Sequence, residues 1–438
     1  MTETLDRTEN ILSRYAAMGE SSVRGLQGPI RDLKEQALQQ FLKEGFPTTR
    51  QEDWRFTNTA ALARAEFLAP EPSRRLSESE LSPFLLDRTD HFVFINGSFS
   101  RELSSTTSSI ELLFFPLQEL LRQNALAVGD LGKHASLEGH PFTALNTALF
   151  TDGAFIRVSE GVVLERPIHL LFVSTGGDKP YVSHPRVLIV AEPGSQMSVI
   201  ESYVSLSEGP YWTNGVTEIS LGSNARLDHY RLQQDSEQAF HTGRLQALLD
   251  RDSHLTTTSL SLGAGLARQD IGTKLSGVGS ACVLNGLYLV HGKQHVDHHT
   301  IIDHATPHSD SEEFYKGILD EQGRGVFDGK IIVRKDAQKT NSGQVSRSLL
   351  LSASAIADTK PQLEIYADDV KCTHGSTIGQ LDEAALFYLR TRGIGEKEAR
   401  TLLIHGFASE VLERIKVPSL RLRMERAVLQ RLPADVNV

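Results

Sequence analysis

Two residues with reactive side chains, Cys372 and His374, lie two positions apart near the end of an alternating, strand-like segment. In an extended strand, residues i and i+2 project to the same side, so the thiol and the imidazole would face one space. Such a pair can form a nucleophile with its base or provide two ligands for a metal ion. The structural alternative is a buried cysteine beside a histidine that caps a turn.

The number of cysteines limits what this pair can do. The chain has only one other cysteine, Cys282, and its apolar surroundings predict a core position. Two cysteines provide no disulfide framework, which fits a reducing compartment. An iron–sulfur cluster generally needs about four protein ligands, most of them thiolates. If Cys372 and His374 bind metal, the site is therefore transient or is completed by a second chain.

A second group of potential metal ligands is a dense run of histidines between positions 291 and 308, which contains six of the 16 in the chain. The six are His291, His295, His298, His299, His304 and His308. Strand alternation would place His295 and His299 on one face and His298 and His304 on the other. Neutral imidazoles can bind zinc or iron, which would make the chain a self-sufficient metalloenzyme with a cupin-like or barrel pocket. The structural alternative is that these histidines stack along strands and hydrogen-bond to each other or to neighbouring aspartates.

Composition restricts the class of protein. The 438 residues are 39% hydrophobic and 23% charged, as in ordinary folded domains. A net charge of −10 argues against a nucleic-acid partner, and no apolar run approaches the roughly 20 residues of a membrane span. We expect a cytoplasmic protein, since no secretory signal is seen. The alternative is a stromal protein if the source is a plant or alga, although no transit peptide is seen. No Gly-x-x-x-x-Gly-Lys-Ser/Thr loop is present, so any nucleotide hydrolysis belongs to another chain.

Apolar periodicity divides the chain into three regions. Residues 1–90 are predicted to form a helical N-terminal region, in which segment 28–43 repeats apolar residues at spacings of three and four. Residues 91–376 are predicted to form a β-rich core that is mixed in its first part. Residues 377–438 are predicted to form a C-terminal helical domain. One face of its segment 396–415 contains Leu402, Leu403, Phe407, Val411, Leu412 and Ile415, which must pack on the core, on a partner or on both.

The core contains a repeated turn. Short β-branched runs recur, and a turn followed by serine appears at nearly even spacing, at Ser195, Ser223, Ser253 and Ser280. This spacing falls within the roughly 20–50 residues that are typical of solenoid repeats, and it predicts coils stacked on each other in a β-helix or solenoid. A β-sandwich is the competing interpretation, because many short strands separated by turns also fit it.

A dense series of motifs lies between residues 296 and 395. They are Asp297-His-His-Thr300, Tyr315-Lys-Gly-Ile-Leu319, Gly325-Val-Phe-Asp-Gly-Lys330, Ala337-Gln-Lys-Thr340, Leu349-Leu-Leu-Ser352, Lys360-Pro-Gln-Leu-Glu-Ile-Tyr366, Asp368-Asp-Val-Lys-Cys-Thr-His-Gly375 and Leu386-Phe-Tyr-Leu-Arg-Thr-Arg-Gly393. Pro47-Thr-Thr-Arg-Gln-Glu-Asp-Trp-Arg-Phe-Thr57 and Glu165-Arg-Pro-Ile168 extend the series toward the N-terminus. With these motifs the chain resembles the SufB/SufD family of iron–sulfur cluster assembly scaffolds. Lys371-Cys-Thr-His-Gly375 resembles the SufD branch, whereas the SufB branch usually has a Glu-His-Glu type sequence there.

The resemblance implies a mainly β fold, a right-handed parallel β-helix core with helical N- and C-terminal regions. It implies a non-catalytic scaffold subunit in a complex with SufB and two copies of the ATPase SufC, which docks on the C-terminal helices. His374, together with Cys372, would provide ligands for a transient iron–sulfur cluster shared with SufB. The isolated chain would hold no tightly bound cofactor, and ATP would act only through SufC. A homodimer of the isolated chain is the alternative to the complex with SufB and SufC. A third interpretation is a purely structural partner of SufB.

Overall fold

The computed structural model describes residues 2–70, 75–105, 112–123, 130–177 and 179–431, with side chains from Ile11 onward. The helices are α1 (Thr2–Ser22), α2 (Pro29–Glu44), α3 (Ala60–Arg64), α4 (Glu78–Leu81), α5 (Leu117–Gln123), α6 (Pro141–Leu149), α7 (Glu383–Thr391), α8 (Glu396–Leu412) and α9 (Pro418–Arg431), with a 3-10 turn at Glu52–Trp54. The strands occupy the sequence between them. In the described part of the chain, no helix is both long and apolar enough to cross a membrane.

The strands form two long sheets. They are β1 (Asp90–Ile95), β2 (Ser98–Ser100), β3 (Leu112–Pro116), β4 (Gly153–Val158), β5 (Ile168–Ser174), β6 (Val182–Ser183), β7 (Arg186–Ala191), β8 (Gln196–Ser205), β9 (Trp212–Leu221), β10 (Arg226–Gln234), β11 (Phe240–Leu249), β12 (His254–Ser261), β13 (Leu266–Leu275), β14 (Ala281–Val290), β15 (His295–His304), β16 (Asp310–Leu319), β17 (Arg324–Val333), β18 (Asn341–Leu350), β19 (Ile356–Ile365) and β20 (Lys371–Gly379). From β8 onward even-numbered strands pair in parallel in the first sheet, and odd-numbered strands pair in parallel in the second.

This pairing is a parallel β-solenoid. The register pairs Arg226, His254, Ala281, Asp310 and Asn341 in succession, so consecutive coils have similar but not identical lengths. The coils enclose a continuous core of aliphatic and aromatic side chains between the two sheets. The prediction of stacked coils is therefore confirmed, and the β-sandwich alternative is wrong because each strand pairs with the equivalent strand of the next coil.

The repeated serine marks a corner of each coil. The hydroxyls of Ser195, Ser253 and Ser280 donate to the carbonyl oxygen three residues earlier, at 2.6, 2.6 and 2.7 Å. Such a side-chain bond satisfies a backbone acceptor where the chain leaves the ladder. The assignment of Ser223 to this series is wrong. In that coil the paired strand begins at Arg226, so the residue at the corner, directly before the strand, is Ala225.

The helices cover the solenoid from outside. α8 and α9 pack on the outer face of the first sheet, against Tyr230, Leu260 and Leu287 among others. The prediction that the C-terminal helices bury apolar surface on the core is thereby confirmed. Leu402 differs from the prediction, because its side chain is 52% exposed while Ile404 and Ala408 provide the buried face of α8. The last residues of the predicted C-terminal helical domain, 432–438, lie outside the described residues.

Candidate functional site

Cys372 and His374 lie on β20, the last strand of the first sheet. Among the described strands of that sheet, β18 is the one that pairs with β20. The Cys372 side chain packs against the core between the sheets. Two residues beyond His374, the Ser376 hydroxyl is 2.9 Å from that of Thr359 on β19, in the opposite sheet. Since Cys372 and Ser376 both face the interior, alternation places His374 on the same side, as the sequence predicted.

The solenoid is open at this end. β19 and β20 are the terminal strands of the two sheets, and His374 is exposed to solvent. Large apolar side chains of this last coil are also exposed, namely Ile356 (50%), Ile365 (40%), Tyr366 (60%) and Ile378 (47%). An exposed apolar end next to unpaired strand edges is an unusual surface for a folded chain. The thiol and the imidazole therefore lie where a second chain can reach them.

Below His374 the interior column is polar for two coils. The register places His374 beside Gln344 and Gln344 beside Glu313, while Leu284 continues the column deeper in the solenoid. Gln344 and Glu313 are 1% and 0% exposed. The Gln344 amide Nε2 donates a hydrogen bond to Glu313 Oε2. Leu284 therefore separates this polar pair from Thr257 and His229, which lie deeper in the same column.

A parallel column lies under Cys372. The register places Cys372 beside Ser342 and Ser342 beside Ser311. The two serine hydroxyls are 2.7 Å apart, and Ser311 is 2.9 Å from His304 Nε2. The next residue in this column is Cys282. Hydroxyl and imidazole groups therefore separate the two cysteines of the chain.

The two thiols have different environments. Burial raises the pKa of Cys282 to about 12, and its side chain is 1% exposed, which confirms the predicted core position. Burial also raises the pKa of Cys372, whose side chain is only partly covered. A raised pKa keeps the thiol protonated at neutral pH, so Cys372 lacks the environment of an activated nucleophile. A bound metal ion would remove that proton by stabilising the thiolate.

The histidine cluster is divided between two faces of β15, as alternation predicted. His298 and His304 are fully buried between the sheets, where His298 lies next to the rings of Tyr288 and Tyr315. His295 and His299 lie on the outer face. Within the described ranges, no three His, Cys, Asp or Glu side chains converge as a metal site. The solenoid also replaces the cupin-like or barrel pocket that the metalloenzyme interpretation required.

The outer face of β15 binds the N-terminal segment to the solenoid, through His295 and Asp297. His295 Nε2 is 2.8 Å from the Thr57 hydroxyl, which also donates to Asp297 Oδ2 at 2.5 Å. Arg268 Nη1 is 2.9 Å from the same Asp297 oxygen, and the Arg268 guanidinium stacks 3.7 Å from the centroid of the Trp54 ring. The sequence motif that ends at Thr57 is thus a docking segment for the second sheet.

Sequence reasoning missed Glu313 and Gln344 beneath the site. Each occurs in an ordinary polar stretch, and only the coil length relates them to His374. The signal that would have found them is the register, since Glu313 pairs with Gln344 and Gln344 with His374 on adjacent strands.

We expect Glu313 to make the stability of the chain fall as pH rises. Burial raises the pKa of its carboxyl from 4.5 to about 7 in the folded state. The folded state therefore retains a proton that the unfolded chain releases, and the free energy of unfolding should drop by on the order of 3 kcal/mol between about pH 4.5 and 7. Glu313→Gln should remove this drop. Urea unfolding at pH 5 and pH 8 tests it, and equal pH dependence in both proteins would contradict it.

The sequence is similar to those of known proteins over nearly its whole length. Residues 172–407 match the family model described as "SUF system FeS cluster assembly, SufBD core domain", and residues 8–170 match "SufBD protein N-terminal region". An iron-sulfur cluster assembly SufBD family protein of Synechocystis is 34% identical over 98% of this chain and 97% of its own. SufD of Escherichia coli is 30% identical over 92% of this chain and 93% of its own. SufD of Bacillus subtilis is 27% identical over 90% and 91%. The chain therefore belongs to the SufBD family of iron–sulfur cluster assembly proteins.

Proposed function

We propose that this chain is the SufD-type subunit of a SUF complex and shares a transient iron–sulfur cluster site with SufB. His374, with Cys372, provides ligands from one side, and SufB provides the remaining ligands. The observation that carries the proposal is the position of both side chains on the interior side of β20, at an end of the solenoid that is open and apolar. The cluster is the cargo of the complex and is passed on after assembly.

The chemistry of the pair agrees with a shared, transient site. One imidazole and one thiol are too few ligands to retain a cluster in the isolated chain. Burial raises the pKa of Cys372, so thiolate formation there depends on metal arriving. His374 is exposed, and its ring can turn toward a ligand set presented by another chain. The isolated subunit is therefore proposed to hold no cluster.

The open end is proposed as the surface for SufB. β20 has a free edge on the side away from β18. Ile356, Ile365 and Ile378 of the last coil are exposed at this open end. A partner solenoid stacked on this end would satisfy the strand edge and cover the apolar side chains. The same surface would accept a second copy of this chain when SufB is absent, which would give a homodimer of the isolated subunit.

The C-terminal helices are proposed as the surface for SufC. Phe387 and Tyr388 on α7 are 68% and 56% exposed, and Leu402 on α8 is 52% exposed. Three large apolar side chains on adjacent helices favour contact with a protein partner. In this proposal the chain has no catalytic role. SufC binds and hydrolyses ATP, and the dimerisation of its two copies pulls on both scaffolds and opens the cluster site.

Co-expression with SufB and SufC, followed by affinity purification and anaerobic iron and sulfide analysis, tests the proposal. We expect a stable complex that contains cluster and a lone chain that does not. Ile378→Asp should weaken the complex about tenfold or more, because it places a charge in the apolar interface. Val278→Asp is the matched control, since Val278 is 45% exposed against 47% for Ile378 but lies outside the last coil.

Two results would contradict the proposal. Full recovery of the complex with Ile378→Asp would show that the open end is not the interface. Near-stoichiometric metal in the lone chain, lost when His295 and His299 are replaced, would instead support a self-sufficient metal protein.

A further inference from the structure

We infer that Gln344 is a positioning residue for His374, and that Glu313 holds Gln344 in place for this role. In the assembled site the Gln344 side-chain carbonyl accepts the ring N–H of His374 that does not face the metal. The inference rests on the proposed function, because it concerns the same site. It assigns a role to two buried residues of β16 and β18, neither of which touches the partner surface.

The register makes Gln344 the neighbour of His374. The two residues are Cα partners on β18 and β20, and Glu313 is the partner of Gln344 on β16. Adjacent strands lie about 4.8 Å apart, so side chains on one face of successive strands form a continuous column. No residue intervenes between the amide of Gln344 and the imidazole of His374 in this column.

The Gln344 amide is half satisfied. Its Nε2 donates to Glu313, whereas its Oε1 is buried and has no hydrogen-bond partner among the residues that the structure describes. A buried polar atom without a partner is unfavourable and calls for a functional or structural explanation. Its column places the exposed imidazole of His374, a hydrogen-bond donor, one strand away.

Two neighbours keep this amide in one orientation. The acceptor of its N–H group is the Glu313 carboxyl on the strand below. On the opposite sheet the amide lies over Gly329, where an added Cβ would come within 2.1 Å of Nε2. Both contacts hold the nitrogen end, and the oxygen end is therefore the free end of the side chain.

A metal-binding histidine needs such an acceptor. Histidine ligands almost always donate their second ring N–H to a carboxylate or carbonyl, which fixes the tautomer and raises the basicity of the ligating nitrogen. Loss of such a partner typically lowers metal affinity by about 10–100-fold. In the isolated chain His374 is exposed and has no such bond to any described residue. A partner that closes the open end would enclose the ring and leave Gln344 Oε1 as its acceptor on this side.

Anaerobic titration of Co²⁺ into the purified complex with SufB and SufC tests the inference. Co²⁺ bound to nitrogen and sulfur ligands absorbs visible light, and the part of the signal that His374→Ala removes defines the His374 site. We expect Gln344→Met to weaken Co²⁺ binding at that site about 10–100-fold. The double variant Glu313→Gln/Gln344→Glu exchanges donor and acceptor, keeps the total charge and presents a carboxylate oxygen to His374. It should retain wild-type affinity.

Gln269→Met is the matched control. Gln269 is a buried glutamine on β13, in the second sheet, and its Oε1 also has no partner among the described residues. A similar loss of affinity in Gln269→Met and Gln344→Met would overturn the inference, since it would show a general effect on folding. If Gln344→Met fails to fold, the double variant Glu313→Gln/Gln344→Glu tests the inference instead. A folded complex of this double variant that loses Co²⁺ binding would also overturn the inference.

The experiment separates the inference from the proposed function. If His374→Ala binds Co²⁺ as the wild type does, the metal site is not at His374 and the proposed function fails. If His374→Ala loses the signal but Gln344→Met keeps wild-type affinity, the proposed function stands and the inference alone is overturned.

Discussion

His374→Ala is expected to lower the iron and sulfide recovered with the SUF complex by about tenfold or more, without lowering the yield of complex. Loss of a residue that only supports a metal ligand already weakens metal binding by about 10–100-fold, and loss of the ligand itself should be at least as severe. The variant should fold normally, because the His374 side chain is exposed and packs against little of the chain. The measurement is iron and sulfide per complex after anaerobic purification.

Two replacements on the same strand control for His374→Ala. Thr373→Ala alters an exposed neighbour that alternation directs away from the interior, so cluster content should not change. Cys372→Ser removes the thiol with little change in volume, and a partial loss of cluster is expected if the thiolate is a ligand. If the complex keeps its cluster when both Cys372 and His374 are replaced, this chain provides no ligand and is a purely structural partner.

Arg186→Ala is expected to lower the free energy of unfolding by about 3–5 kcal/mol. Arg186 forms an ion pair with Glu218, and both side chains are 0% exposed. Arg186 Nη1 is also 2.9 Å from the Thr147 hydroxyl on α6, and Glu218 accepts backbone N–H groups of Gly132 and His134 at 2.8 and 2.9 Å. Removal of the guanidinium leaves a buried carboxylate without its cation. Chemical denaturation measures the loss.

An exposed ion pair controls for this prediction. Arg157 pairs with Glu192 at the surface, with 46% and 27% of the side chains exposed, so Arg157→Ala should cost at most about 1 kcal/mol. The double variant Arg186→Met/Glu218→Gln should be more stable than Arg186→Ala, because it removes the unpaired charge. Equal losses for Arg186→Ala and Arg157→Ala would show that the buried pair does not fasten α6 to the solenoid.

The repeat was predictable because it depends on local chemistry. Each corner with a serine uses a hydroxyl that bonds to its own turn, and a turn with serine is visible in the sequence. Strands with apolar, β-branched interiors were predicted for the same reason. β10 and β18 lack such an apolar period, since their interior positions hold His229, Arg231 and Gln344, which contact other polar groups inside the solenoid.

For the candidate site, the sequence could predict only which residues of the same strand lie side by side. Two residues at i and i+2 share a face in any extended segment, so Cys372 and His374 could be placed together from the sequence. Their neighbours in adjacent coils could not, because the coil length is not constant: the step between the paired residues His254 and Ala281 is shorter than the step between Asp310 and Asn341. An error of one residue in register turns a side chain to the other face. The neighbours of His374 in the coils below therefore became visible only once the strand pairing was known.

The one-sided pairing of the last coil has a consequence for its dynamics. In a solenoid each coil is stabilised mainly by its two neighbours, so β19 and β20, which have a neighbour on one side only, have the lowest free energy of local opening among the coils. Their backbone amides should exchange with solvent faster than those of β14 or β16. A second solenoid stacked on this end supplies the missing neighbour and slows that exchange. The strand that carries Cys372 and His374 is therefore expected to gain protection from exchange on assembly.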